Sequence, residues 1–388
     1  MRAGSGHAAR CGPYSYALMS AERGSPAPTT TPSGALAEMM RFVVPLDATV
    51  AALGAGGAES GATLEAWRRL RPLESGGQLA GRGLVSRLKD LRGEGCEYLV
   101  VGAGALAGVD ADQELRSFLA ASSRVVAQDE RVGAVYALRE PHGERTAPDG
   151  LPLPPAGLIR ITSGCVRQAR NNPERLFESY WESGLAGAAW IERLLDRHGF
   201  RIEDRSAILD FGCGCGRVIR HWRRLAGSSL HGCDYNPHLV SWCAEALPFA
   251  EFRENGLEPD LPYERGSIDL VYAISIFTHL DEPLQLPWMA ELERVLRPGG
   301  LLVLTVMGPG RLDAQRRPEV ADRIREGRLA VVRGDQSGTN ACSVYHPRSY
   351  VEHTMSSGWR LLAYEADGAE DVRQDAVLLQ KPTGDQAA

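Results

Sequence analysis

No run of this 388-residue sequence approaches the ~18 consecutive apolar residues of a helical membrane span, which argues against that class. Eight cysteines are present, but no C-x-x-C pair and no evenly spaced framework. A thiolate metal site and a disulfide scaffold are therefore not expected, and a reducing, cytoplasmic compartment fits best. Lysine is scarce beside arginine, and a net charge of −6 exerts no overall pull on nucleic acid. The arginines between Arg311 and Arg333 are interspersed with Asp313, Glu319, Asp322 and Glu326, the pattern of a solvated surface. The first 22 residues carry Arg2 and Arg10 and no acid before Glu22, a faint trace of a transit peptide without a secretory apolar core. The low-complexity stretch Ser25–Ser33 follows, so residues 1–35 are expected to form a disordered leader.

What remains is a globular composition, 44% hydrophobic and 24% charged, on a chain long enough for two domains. Its organising stretch is Ala207-Ile-Leu-Asp-Phe-Gly-Cys-Gly-Cys-Gly-Arg217. A short apolar strand runs into Asp210 and then into Gly212, Gly214 and Gly216, with a helix expected over 216–226. Glycines at alternate positions let the backbone turn sharply and let a ligand lie against bare main chain. A second strand, 229–234, ends in Asp234, 18 residues after Gly216. A carboxylate there can accept hydrogen bonds from two ribose hydroxyls. These two features suit a nicotinamide dinucleotide as well as other nucleoside cofactors. However, the third glycine comes one residue early for G-x-G-x-x-G.

Three further segments narrow the choice: Phe252-Arg-Glu-Asn-Gly256, Gly266-Ser-Ile-Asp-Leu-Val-Tyr-Ala-Ile-Ser275, and Glu293-Arg-Val-Leu-Arg-Pro-Gly-Gly-Leu-Leu-Val-Leu-Thr305. Together with D-x-G-x-G-x-G, they resemble, in order, the signature segments of class I S-adenosylmethionine (SAM) dependent methyltransferases. The resemblance implies an α/β, Rossmann-like sheet of seven strands with the last inserted antiparallel, and SAM as cofactor. It further implies that Gly212, Gly214 and Gly216 line the methionine side of SAM and that Asp210 fixes the loop or the ammonium. Asp234 would take the ribose, Tyr235 would stack beside the adenine, and Asn255 and Gly256 would border it. Ala273 and Ile274 would lie under the ribose–methionine join. The plain alternative for Asp234 is an N-cap for the helix starting at Pro237.

Ahead of this region, residues 36–140 alternate strand-like and helical patterns, implying a smaller N-terminal α/β domain. Phe42-Val-Val-Pro45, Cys96–Val101, Arg124–Ala127 and Gly133–Leu138 read as strands, and 84–91 and 113–121 as helices. Leu88 to Arg139 weakly resembles an accessory α/β domain of bacterial polysaccharide-locus proteins, which implies a non-catalytic or partner-positioning role. Gly102-Ala-Gly104 lacks the third glycine of a dinucleotide site. The proline-rich stretch 141–158 reads as a linker, leaving 159–382 as the methyltransferase domain, with 308–345 as a cap insertion.

A sulfonium-bound methyl is already electrophilic, so the protein's task is to position a nucleophile and exclude water. Ser275-Ile-Phe-Thr-His-Leu280 follows the fourth core strand on the acceptor side and resembles the wording of a bacterial methyltransferase group. His279 is the leading candidate base, because histidine titrates near neutrality. His346 and Tyr180 are secondary candidates, and a structural role competes for each of the three. The acceptor expected is a small molecule or glycan precursor, methylated on O or N. Nucleic acid is disfavoured, since the N-P-P-Y and D-P-P-Y tetrapeptides of DNA amino-methylating enzymes are absent. A methyltransferase fold serving only as a binding scaffold is the competing class.

Overall fold

The computed structural model describes residues 32–45, 48–54, 67, 69–73, 82–138, 145–162, 173–312 and 317–383. The chain divides into two compact units, Met1–Glu144 and Arg145–Ala388. The expected disordered leader lies outside the described residues up to residue 31, and a helix, α1, already spans Pro32–Val43.

In the first unit, five strands pair in the order β2-β1-β3-β5-β4: β1 Thr49–Leu53, β2 Arg69–Leu73, β3 Tyr98–Gly102, β4 Ser123–Asp129 and β5 Gly133–Leu138. Alternation along β1 sets the two faces. Val50 and Ala52 pack with Leu36, Met39 and Met40 of α1, whereas Ala51 and Leu53 pack with the helices Arg82–Gly93 and Gln113–Ser122. The stretch expected as a strand at 42–45 instead ends α1 at Val43 and continues into the segment after it. Its Val43 and Val44 complete that helix's apolar contact with the sheet, so tertiary burial overrides the β-branched preference.

The second unit holds a seven-stranded sheet in the order β13-β14-β10-β9-β6-β7-β8. These are β6 Ala207–Phe211, β7 Ser229–Asp234, β8 Glu251–Glu254, β9 Ile268–Ala273, β10 Leu296–Val306, β13 Arg360–Ala369 and β14 Gln374–Gln380. Strand β14 runs antiparallel to both neighbours, while β10, β9, β6, β7 and β8 are mutually parallel. Two short strands, β11 Ala330–Val332 and β12 Ser343–Tyr345, pair separately within the 308–345 insertion.

Strands buried on both faces need apolar side chains at every position. Ile208, Leu270 and Val303 face the long helix Pro173–Arg197, and Leu209, Val271 and Leu302 face the helix Glu282–Val295. The chain passes β6→β7→β8 to one side of β6 and then returns to β9 on the other. The resulting crevice at the carboxyl ends of β6 and β9 is where folds of this topology bind ligands.

Two local expectations give way. From Arg145 onward the proline-rich stretch belongs to the second unit: Thr146 bridges to Pro152, and a helix at Ala156–Thr162 buries Leu158 and Ile159 completely. The dipeptide Asp367-Gly368 suits a tight turn into the last strand, yet it lies in a bulge within β13 and the reversal falls at 370–373.

Candidate functional site

After Phe211 the chain enters a loop in which Gly212, Gly214 and Gly216 all take left-handed φ values, 75°, 56° and 72°, a region costly to any residue with a Cβ. Gly212 and Cys213 N–H donate to the Cys233 carbonyl, Gly214 N–H to Asp234 Oδ2, and Gly216 N–H to the Cys213 carbonyl. The helix expected at 216–226 does not form. A single 3₁₀ segment, Ile219–Arg224, takes its place. Gly216, at a left-handed φ of 72°, breaks the helical path at its first residue, and two backbone groups are engaged elsewhere. An α-helix would pair the Cys215 carbonyl with the Ile219 N–H. Instead that carbonyl accepts from the Tyr180 hydroxyl at 2.8 Å, and the Ile219 N–H is held by the Asp210 carboxylate.

Asp210 is the penultimate residue of β6 and Asp234 ends the adjacent β7, and both are buried. Burial pushes the Asp210 carboxyl up to about 7 against the opposing pull of the Tyr272 hydroxyl and Arg217. Burial likewise pushes Asp234 up to about 6, against the N–H groups of Asn236, Gly214 and Tyr235. Asp234 Oδ1 accepts from Asn236 N–H and its Oδ2 from Gly214 N–H, both at 2.9 Å. The N-cap of the helix Pro237–Ala246 is Asn236, whose Oδ1 accepts from His238 N–H. Asp234 is therefore not the cap, and it keeps unused lone pairs.

Beyond Asp234, the Asn255 N–H donates to the Asp234 carbonyl, and the Asn255 side-chain amide donates to the Gly256 carbonyl. Its Oδ1 is buried without a partner. Tyr235 and Gly256 are half-buried, and Ala273 is fully buried where β9 ends, followed by half-buried Ile274. Thr162 and Ile276, which motif reading does not reach, pack on Gly214 and Gly212, and a Cβ at Gly212 would overlap Ile276. Nothing in the sequence beside either residue marks it for this contact.

On the acceptor side, Ser275 adopts φ 61°, rare for a non-glycine residue. A closed ring of hydrogen bonds holds it. Ser275 N–H donates to Thr305 Oγ1, Thr305 Oγ1 to Gln374 Oε1, and Gln374 Nε2 back to Ser275 Oγ, at 2.7, 2.6 and 2.9 Å. His279 lies four residues on, its Nδ1 donating to the Cys342 carbonyl at 2.7 Å. That bond fixes the tautomer and leaves Nε2 as the acceptor, the arrangement a base requires. Burial lowers the His279 pKa, partly offset by the Cys342 carbonyl, so the ring is neutral above its ordinary range.

The two secondary base candidates do not share this geometry. His346 is fully buried against Gln285, and burial depresses its pKa to about 3. Tyr180 is 1% exposed, with its proton committed to the Cys215 carbonyl. Both are built into the framework.

Residues 209–304, which include the glycine loop, Asp234, Asn255 and His279, match the family described as a methyltransferase domain. Over these residues the chain carries a methyltransferase domain. S-adenosylmethionine is the cofactor of such domains, and the residues present fit it. Three left-handed glycines turn the chain sharply at the end of β6, Asp234 keeps acceptor capacity at the end of β7, and Asn255 Oδ1 is a buried acceptor lacking a donor. The chain is 29% identical over 188 residues to "Methyltransferase GfsG" of Streptomyces halstedii, an overlap of 46% of this chain and 60% of that protein. It is 29% identical over 106 residues to a malonyl-[acyl-carrier protein] O-methyltransferase of Pectobacterium atrosepticum, covering 27% of this chain and 40% of that one. It thus spans less than two thirds of the length of these relatives. A SAM-dependent methyltransferase structure from Methanosarcina mazei aligns with 48% of the chain and 97% of its own length, at 21% identity and a TM-score of 0.38. Among the described residues, no helix is long and apolar enough to cross a membrane, and no cluster of His, Cys, Asp or Glu is placed to hold a metal.

Proposed function

We propose that this chain transfers the methyl group of SAM to an oxygen or nitrogen of a small molecule or glycan precursor. The observation that carries the reading is the convergence of the three left-handed glycines, Asp234 and the unpartnered Asn255 Oδ1 at one strand-end crevice within the matched residues. Bound there, SAM supplies an electrophilic methyl; this chain's residues bind, orient and exclude water. Asp234 accepts the ribose hydroxyls with the lone pairs its backbone bonds leave free. Asn255 Oδ1 accepts from the adenine amino group, and Tyr235 and Gly256 flank the ring. Asp210 holds the loop through the Ile219 N–H and faces the cationic end of the cofactor. His279 Nε2 takes the proton that an alcohol or amine must lose.

The insertion residues near this base are argued to select the acceptor. Cys342 fixes the His279 ring, Gly338 N–H donates to the His279 carbonyl, and Ser337 Oγ accepts from Asp281 N–H. The deciding measurement is calorimetric titration with SAM, S-adenosylhomocysteine and NAD. Micromolar binding of both adenosyl ligands without NAD is expected. Binding of NAD alone, or of none, would overturn the reading.

A further inference from the structure

The guanidinium of Arg220 is 1% exposed, four residues after Gly216. It donates twice to Asp149, Nε to Oδ2 and NH2 to Oδ1, each at 2.9 Å. A further NH2 contact reaches the Pro152 carbonyl at 3.3 Å. NH1 donates to the Tyr180 hydroxyl at 3.3 Å, and that hydroxyl donates in turn to the Cys215 carbonyl inside the glycine loop. The guanidinium also lies 5.6 Å from the Tyr180 ring centre and 5.4 Å from that of Trp181. A four-membered chain, Asp149–Arg220–Tyr180–Cys215, therefore ends on the main chain between Gly214 and Gly216. Asp149 and Tyr180 both lie outside residues 209–304.

Burying a guanidinium–carboxylate pair is costly, and apolar replacements of similar volume are often as stable or more so. A stability role alone therefore accounts poorly for charge at this position, whereas a geometric role accounts for it well. Without Tyr180 the Cys215 carbonyl would lose the hydrogen bond that ties the glycine loop to the helix Pro173–Arg197.

We propose that Asp149, Arg220 and Tyr180 form a clamp that positions the glycine loop for SAM by anchoring the Cys215 carbonyl. The inference rests on the loop being the SAM site, and the two parts are separable by experiment. Tyr180→Phe removes the terminal bond, Asp149→Asn weakens its anchor, and Arg220→Lys keeps charge but loses the fork. Each purified full-length variant is titrated with S-adenosylhomocysteine. Each is also labelled with a maleimide, mapped by mass spectrometry to Cys213 and Cys215 and, as controls, to Cys233 and Cys342, all four buried.

Tyr180→Phe is expected to weaken S-adenosylhomocysteine about tenfold. It should also accelerate labelling of Cys213 and Cys215 at least severalfold, with the controls unchanged and excess ligand restoring protection. Asp149→Asn should show the same pattern at smaller amplitude. Wild-type affinity and labelling in all three variants would overturn the clamp, as would acceleration at all four cysteines together, which marks general loosening. A wild-type protein that binds no adenosyl ligand would sink the SAM reading, and the labelling pattern alone would then decide the clamp.

Discussion

Side-chain by side-chain, the residues proposed for the cofactor are legible because they are neighbours in sequence. Asp210, Gly212, Gly214 and Gly216 are consecutive or alternate, and Asp234 is marked by its place at a strand end. Ser275 was not readable as a left-handed residue, since its conformation depends on Thr305 and Gln374, 30 and 99 residues away. The structural role of Tyr180 is illegible for the same reason, its hydroxyl meeting a carbonyl 35 residues on.

Asp210 gives a pH signature. Its folded pKa lies above the unfolded value, so its favourable contribution is complete at acid pH and is lost as pH rises through about 7. Asp234 acts in the same sense through about 6. Asp149 opposes both. Burial acts against its charge, but the Arg220 bonds win and hold it below the usual range, so its contribution persists at neutrality and fades only in strong acid. Asp210→Asn should abolish the upper part of the stability decline, between about pH 6 and 8, by the order of a kcal/mol or more. Denaturation midpoints of the ligand-free proteins at pH 5 and 8 check this; equal declines in both would refute it. Asp234→Ala should weaken SAM about tenfold to several hundredfold, read by calorimetry. Once an acceptor is in hand, His279→Asn should lower turnover about 100-fold at pH 7–8 without altering SAM affinity. Wild-type turnover should stay flat above pH ~6.5 and fall below it, because the ring's pKa is depressed.

Among the elements, long buried strands and amphipathic helices followed their patterns, and elements whose ends are decided by single competing hydrogen bonds did not. The segment after Gly216 illustrates this, since neither the Tyr180 hydroxyl nor the Asp210 carboxylate enters a local propensity. Gly184 offers a direct test in the helix Pro173–Arg197. A helical Gly→Ala change ordinarily stabilises by about 1 kcal/mol. Here the new methyl would overlap the Arg217 carbonyl beside the glycine loop. Gly184→Ala should therefore destabilise by about 1–2 kcal/mol net, whereas Gly108→Ala, with nothing within 4 Å, should stabilise. Thermal unfolding of both variants separates steric overlap from propensity. Matching gains would show that the helix can shift away from the loop.

Across the whole molecule, every residue assigned to the cofactor lies in Arg145–Ala388. A fragment of residues 145–388 should bind SAM within a few-fold of the full chain, and a large loss would implicate the first unit in the site. The order of strands carries a further consequence for how the protein is made. Strand β14 fills the position between β10 and β13, yet it leaves the ribosome long after β10. At about 5–20 residues per second, the 74 positions from Val306 to Gln380 take roughly 4–15 s to synthesise. During that interval the wholly apolar face-buried run Leu301–Leu304 has one unpaired edge, the kind of edge that recruits strands from other chains. Nascent chains stalled in this window, or messages truncated within it, are the forms of this protein most dependent on chaperones.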